Sequence, residues 1–326
     1  MYEQLLDRMA DDIEAGGITA SAIAGHEAEP DPSALALRLA GAVHRLVLVG
    51  TADRLETFYP SVGGAWDLEL AWPVVTDALA AHLPRVRELI EGPPQTNDIG
   101  RSSALLGGLL HIAERTRLPV SLTEIGSSAG LNLRFDAFGY TCAGGAWGPE
   151  GSPVVLADAW AGRLPPVEAD LKVAERRGVD AAPLDPTSTH GRLALTSYVW
   201  PDDAARLARL RGAFEIAARV PVDLVAGDAA DAVEALELRP GATTVLWHSV
   251  VWQYLGEERQ QRIRERVHEL GSAATDEAPF AHLRLEPSSP APDQPSRFLV
   301  TLQLWPSGEP VVLGESAAHG IPTTWE

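Results

Sequence analysis

The sequence predicts an α/β fold: a parallel sheet that ends in an antiparallel hairpin, preceded by a helical N-terminal domain. Three patterns carry that expectation. From about residue 120, short apolar runs alternate with amphipathic stretches, the rhythm of parallel strands joined through helices. The last two runs, in "RFLVTLQLWPSGEPVVLGES", are separated only by Pro-Ser-Gly, which joins neighbouring antiparallel strands. Before about Arg117 the apolar residues recur mostly every third or fourth position, the spacing of one helix face.

The N-terminal stretches "PSALALRLAGAVHRLVLVG" and "VVTDALAAHLPRVRELIEG" read as helices, interrupted by the breakers "YPSVGG" and "EGPPQTND". This places a helical domain at 1–94 and a second domain at 95–326. The second domain opens with the helix "SSALLGGLLHIAERT" and the strand "VSLTEIG", after which "LNLRFDAFGY" is expected to be helical. A Gly/Trp-rich insert at about 141–172, "TCAGGAWGPEGSPVVLADAWAG" and its sequel, reads as a hairpin and loop. The alternation resumes at "VAERRGVDAAPLD". It continues through the helix "PDDAARLARLRGAFEIAARV", strand "VDLVAGD", helix "AADAVEALE", strand "TTVLWHSVV", helix "EERQQRIRERVHELG" and strand "AHLRLEP".

Composition narrows the function. With 326 residues, 45% of them hydrophobic and 22% charged, the chain is long enough for a large core. A net charge of −19, spread along the sequence, repels phosphate backbones and anionic headgroups, so nucleic acid and membrane partners are not expected. Cys142 is the single cysteine, which excludes an internal disulfide, and no cysteine or histidine cluster has zinc-ligand spacing. The acidic start "MYEQLLDRMADDIEAGG" does not resemble an export signal, and no apolar run reaches the ~18 residues of a membrane span. A cytoplasmic protein acting on a small molecule is expected.

The stretch "LTEIGSSAG" admits three chemistries. Gly126-Ser127-Ser128-Ala129-Gly130 satisfies G-x-S-x-G, so Ser128 is a candidate hydrolase nucleophile, with Asp228 and His248, His282 or His319 as partners. Against this, the region before it reads as helical, whereas such an elbow normally follows several strands. A dinucleotide site is disfavoured because Ser128 stands where the middle glycine of G-x-G-x-x-G would be. The third reading fits more of the chain. Glu124, Gly126 and Gly130 form E-x-G-x-x-x-G, the pattern of S-adenosylmethionine sites, in which glycines let backbone approach the cofactor and an acid accepts from its ammonium.

Two further strand tips then carry acids of the expected kinds. Asp180, with Asp185 as the alternate, suits the ribose hydroxyls, and Asp228, flanked by Gly227 and Ala229, suits the adenine amine. Ser127 and Ser128 line the turn, while Asn97 and Arg101 precede the helix leading into it, where a guanidinium suits the methionine carboxylate. His248, at the end of the fourth strand, and Tyr254 are the candidate catalytic residues for deprotonating a substrate. No metal ligands are expected.

"QTNDIGRSSALL", "LTEIGSSAGLNLRFDAFGY", "VAERRGVDAAPLDPTSTHGRLALTSYVWPD", "LVAGDAAD" and "VLWHSVVWQYL" together resemble an uncharacterised bacterial family, the domain of unknown function 2332, from roughly Ala36 to the C-terminus. The resemblance implies a Rossmann-like methyltransferase fold with the insert after its first strand–helix unit, behind the helical region, and no particular reaction. An S-adenosylmethionine-dependent methyl transfer to a small-molecule nucleophile is the leading expectation. The Ser128 hydrolase, a non-catalytic nucleoside-binding or interaction protein, and non-methyl chemistry on the same cofactor remain as alternatives.

Overall fold

The computed structural model describes residues 1–29, 33–288 and 296–326. Pro32, the first residue of the stretch read as the helix at 32–50, lies outside them. In chain order the helices begin with α1 (Tyr2–Glu14), α2 (Ile18–Ala22), α3 (Leu35–Leu48), α4 (Asp53–Glu56), α5 (Leu68–Ala81), α6 (Leu83–Leu89) and α7 (Ser102–Thr116). Then follow β1 (Val120–Ile125), β2 (Gly139–Cys142), β3 (Gly145–Trp147), β4 (Val155–Leu156), β5 (Trp160–Gly162) and β6 (Val173–Asp180). The rest are α8 (Thr189–Ser197), α9 (Ala204–Ala217), β7 (Asp223–Ala226), α10 (Ala229–Glu234), β8 (Thr243–Ser249), α11 (Gly256–Ala273), β9 (Phe280–Ser288), β10 (Arg297–Trp305), β11 (Pro310–Ser316) and β12 (Thr323–Trp325).

The chain divides into two compact units, 1–96 with 187–208 and 97–186 with 209–326. The first is helical. Its core gathers Tyr2, Leu5 and Met9 from one face of α1 around α3, which is buried on all sides from Arg38 to Val47. Residues 187–208 join this unit instead of staying with the sheet domain, a discontinuity that the expected boundary at 94/95 does not contain. The reason is local. His44 on α3 bonds the Ser197 carbonyl through Nδ1 (3.1 Å), Arg45 donates to the His190 carbonyl, and Tyr2 packs on the Trp200 ring. Gly41 leaves room for Tyr198, whose ring would lie 2.9 Å from a Cβ there.

The second unit is built on a nine-stranded sheet in the order β5-β12-β11-β10-β9-β8-β1-β6-β7. β7, β6, β1, β8 and β9 are mutually parallel, as the alternation predicts. β10, β11 and β12 then each run antiparallel to the strand before them, so the antiparallel part is larger than the expected hairpin. β5, from within the insert, pairs parallel with β12 at the far edge, while β2, β3 and β4 form a separate small sheet.

Helices cover both faces. On one, Gly107 and Gly108 of α7 admit the Trp325 ring and Leu283, either of which would collide with a Cβ. On the other, Ala230 and Val233 of α10 and Ile263, Val267 and Leu270 of α11 pack on Leu246 and Phe280. Each such aliphatic residue contributes about 1.5–3 kcal/mol by leaving water. The segment 132–138, expected as a continuing helix, is only a 3-10 turn at Asn132–Ala137. The backbone leaves helical geometry at Arg134 (φ −101°, ψ 19°), whose guanidinium is held by the Gly130 and Val220 carbonyls, and Leu133, Phe135, Phe138 and Tyr140 are all buried. Tyr140 fixes the exit by donating to the Phe135 carbonyl and stacking on Trp160 at 5.6 Å.

Candidate functional site

Numbered along the chain, the five parallel strands lie in the order 3-2-1-4-5, so connections leave β1 in opposite directions. In open sheets of this kind the crevice beyond the carboxyl ends at such a reversal is where ligands bind. Here it lies between the ends of β1 and β8, and the glycine turn singled out in the sequence fills the β1 side.

The turn is unusual backbone. Gly126 (φ +67°), Ser128 (φ +52°) and Gly130 (φ +61°) alternate in the left-handed region. A ring of hydrogen bonds holds it. Ser127 N–H donates to the Val179 carbonyl at 3.2 Å, Ser128 N–H to Asp180 Oδ2 at 2.8 Å, and Leu131 N–H to Asn97 Oδ1 at 2.9 Å. Asp180 Oδ1 accepts from Ala182 N–H, and the Asp180 carbonyl accepts from Gly227 N–H, which ties the tips of β6 and β7 together. Asp180 therefore reaches the turn, whereas Asp185 is exposed on the loop beyond and acts electrostatically on Arg134. On the β8 side, a Cβ on Gly126 would stand 2.3 Å from Val251 Cγ2.

Glu124 is 2% exposed. Its register partner across the strands, Trp247, donates Nε1–H to its Oε1 at 3.0 Å, and among the described residues its Oε2 has no partner. Burial pushes the carboxyl up to about 8; the Trp247 hydrogen bond opposes this, the Asp180 charge adds to it and the Arg101 charge opposes it. Ser127 Oγ and Asn132 Oδ1 are likewise buried without partners among the described residues. Asn132 Nδ2 donates to the Asp98 carbonyl, so the orphan oxygen of that amide is held in place.

Asp228 caps α10, accepting from the N–H groups of Ala230 (2.8 Å) and Asp231 (3.3 Å), and forms an ion pair with Arg259. Burial raises its pKa, but the Arg259 hydrogen bond and the two N–H groups outweigh it and hold the carboxyl below its usual value. Ala229 is the first residue of the helix.

His248 is fully buried, with Nδ1 2.6 Å from Glu286 Oε1 and Nε2 3.0 Å from His282 Nε2. Its ring stacks on Trp252 at 5.4 Å. Burial, then the His248 and Arg284 charges, drive the His282 pKa well below normal, so His282 is neutral. Tyr254 stands 43% exposed on the turn after β8. The members of the alternative Ser128 triad go elsewhere: Asp228 to Arg259, His248 to Glu286, and His319 Nδ1 to Asp98.

Sequence reasoning named Glu124, Gly126, Ser128, Gly130, Asp180 and Asn97, which the fold brings to one turn, with Arg101 in electrostatic reach. It missed Asn132 and Trp247 as participants. The position of Trp247 opposite Glu124 appears only once β1 and β8 are paired.

Among the described residues no group of three or more His, Cys, Asp or Glu is arranged to hold a metal, and no helix is long and apolar enough to cross a membrane. No curated protein matches the chain. Residues 1–325 match the family described as "Uncharacterized protein conserved in bacteria (DUF2332)", and the chain belongs to it.

Proposed function

We propose that the chain is an S-adenosylmethionine-dependent transferase with a Rossmann-like methyltransferase domain, acting on a small-molecule nucleophile. One observation carries the reading: Glu124 Oε2, Ser127 Oγ and Asn132 Oδ1 are buried and unpartnered among the described residues, around a glycine turn at the reversal of strand order. Buried polar atoms without partners are costly, and a polar ligand in the turn relieves that cost.

The residues present fit the group. Glu124 accepts from an ammonium, Arg101 suits a carboxylate, and Asp180, whose oxygens each keep a second acceptor site, suits ribose hydroxyls. Gly126 and Gly130 present backbone without a Cβ. Asp228, Gly227 and Ala229 stand at the next strand tip, where the nucleobase edge is expected. When bound, the cofactor supplies an electrophilic carbon on a sulfonium. The protein's part is to hold and orient two reactants and exclude water, which is the larger share of the catalysis such a reaction needs.

A thermal-shift titration with S-adenosylhomocysteine tests this. A ligand present at 100 times its Kd adds about 2.7 kcal/mol of stability, a rise of several degrees. That rise is expected in the native protein and lost in Gly126→Val and Asp228→Ala. No rise in folded native protein refutes the proposal.

A further inference from the structure

We propose that Glu286, at the tip of β9, is the carboxylate that receives a protonated amine on the substrate. Side chains alternate along a strand, and Glu286, His282 and His248 share the face opposite that of Glu124 and Trp247. Glu286 is therefore not another member of the glycine turn. It is nonetheless adjacent to it. Val251 donates its N–H to Glu286 Oε1 at 3.2 Å, and its side chain fills the space that a Cβ on Gly126 would take.

The two carboxyl oxygens are treated differently. Oε1 accepts from both His248 Nδ1–H and Val251 N–H, while Oε2 is buried and has no partner among the described residues. His248 accounts for this asymmetry. With Nδ1 engaged by Glu286 Oε1 and Nε2 by His282 Nε2, neither nitrogen is left for substrate, and the Trp252 stack fixes the ring. His248 is thus a positioning residue that holds Oε1, while the buried Oε2 keeps its acceptor capacity unused among the described residues.

A nearby cation of the protein, Arg284, interacts electrostatically with Glu286 but gives Oε2 no hydrogen bond. Arg284, two residues back on the same face, gives its Nε–H to Thr301 Oγ1 at 3.1 Å. A half-satisfied carboxylate in a recessed site is best completed by a ligand that brings both donors and positive charge. An alkylammonium does both. The net charge of −19 draws cations toward the site.

Describing the amine as a substrate rests on the transferase reading; its binding does not, and the experiment separates the two. The intact protein is titrated calorimetrically with n-butylamine and benzylamine, and with benzyl alcohol as the uncharged counterpart, with and without saturating S-adenosylhomocysteine. Saturable amine binding is expected, weakened about tenfold or more in Glu286→Gln and unchanged in Glu124→Gln. Glu286→Gln is expected to keep its affinity for S-adenosylhomocysteine. His248→Asn, whose amide N–H still reaches Oε1, is expected to retain amine binding that His248→Phe loses.

Amine binding equal in native protein and Glu286→Gln, equally tight benzyl alcohol, or no saturation by either amine up to about 10 mM overturns the inference. So does loss of S-adenosylhomocysteine from Glu286→Gln, since it would make Glu286 part of the cofactor pocket. Amine binding that depends on Glu286 in protein that ignores S-adenosylhomocysteine would keep the site and reject the transferase.

Discussion

On the proposed reading, binding of an ammonium at Glu124 moves a proton. Burial raises this carboxyl to about 8, so at pH 7 roughly nine in ten molecules carry the proton. A ligand ammonium at Oε2 favours the charged form and draws the pKa back toward the ordinary 4.5. About 0.9 proton is then released per ligand bound at pH 7. The dissociation constant should fall about tenfold per pH unit across the slightly acid to neutral range and level off above about pH 8.

The assay is calorimetric titration with S-adenosylhomocysteine in phosphate and in Tris, whose ionisation enthalpies differ widely. Observed heats should differ between buffers in proportion to the proton released, and Glu124→Gln should abolish both the difference and the pH slope. Identical heats in the two buffers, with an affinity that is flat from about pH 6 to 8, would refute the reasoning. The same group leaves a mark on folding. Its folded pKa lies above its unfolded one, so the folded state holds the extra proton and stability falls as pH rises from 4.5 through 8. At pH 7 that loss is on the order of 3 kcal/mol, absent in Glu124→Gln and readable as the difference between their denaturation midpoints at pH 5 and pH 8.

Gly126→Val combines a β-branched side chain at φ +67° with a collision against Val251, so chemical denaturation should show a loss of about 2–4 kcal/mol. Asp228→Ala removes the cap of α10 and the partner of Arg259, costing about 1 kcal/mol in the same assay. Trp247→Phe deletes the one hydrogen bond that opposes the burial of Glu124, so the pH dependence of binding should move to higher pH, seen in the titrations above. Tyr140→Phe removes the hydroxyl that lies 3.0 Å from both the Phe135 carbonyl and Ser102 Oγ, and should lower stability by about 1–3 kcal/mol. In the helical unit, burial depresses His44 to about 4, against hydrogen bonds to the Ser197 and Val199 backbone that raise it. Its folded pKa lies below the ordinary 6.5, so stability is complete above pH 6.5 and declines toward pH 4; His44→Gln should flatten that decline in acid denaturation.

The parallel strands and the glycine turn were legible because their signals are local. An apolar run ending in Glu-Ile-Gly, and acids closing "RRGVD" and "LVAGD", mark strand tips without knowledge of neighbours. What failed depended on partners far along the chain. The engagement of His248 by Glu286 and His282 requires the pairing of β8 with β9. β12 and β5 are three residues each and become strands only by completing one edge of the sheet. The capped helix α8 passed unnoticed in a polar stretch, and its allegiance to the helical unit rests on His44 and Arg45, about 150 residues earlier. The 132–138 segment reads as helix by composition, yet its backbone breaks at Arg134, which is tied to the Val220 carbonyl far along the chain.

The central claim is that the β1 turn receives an adenosyl ligand. Titrating the native protein with S-adenosylhomocysteine, with Gly126→Val as control, tests it most directly. Saturable micromolar binding at one site, absent in the variant, is the predicted result. No heat in protein shown to be folded, or equal binding to Gly126→Val, contradicts it.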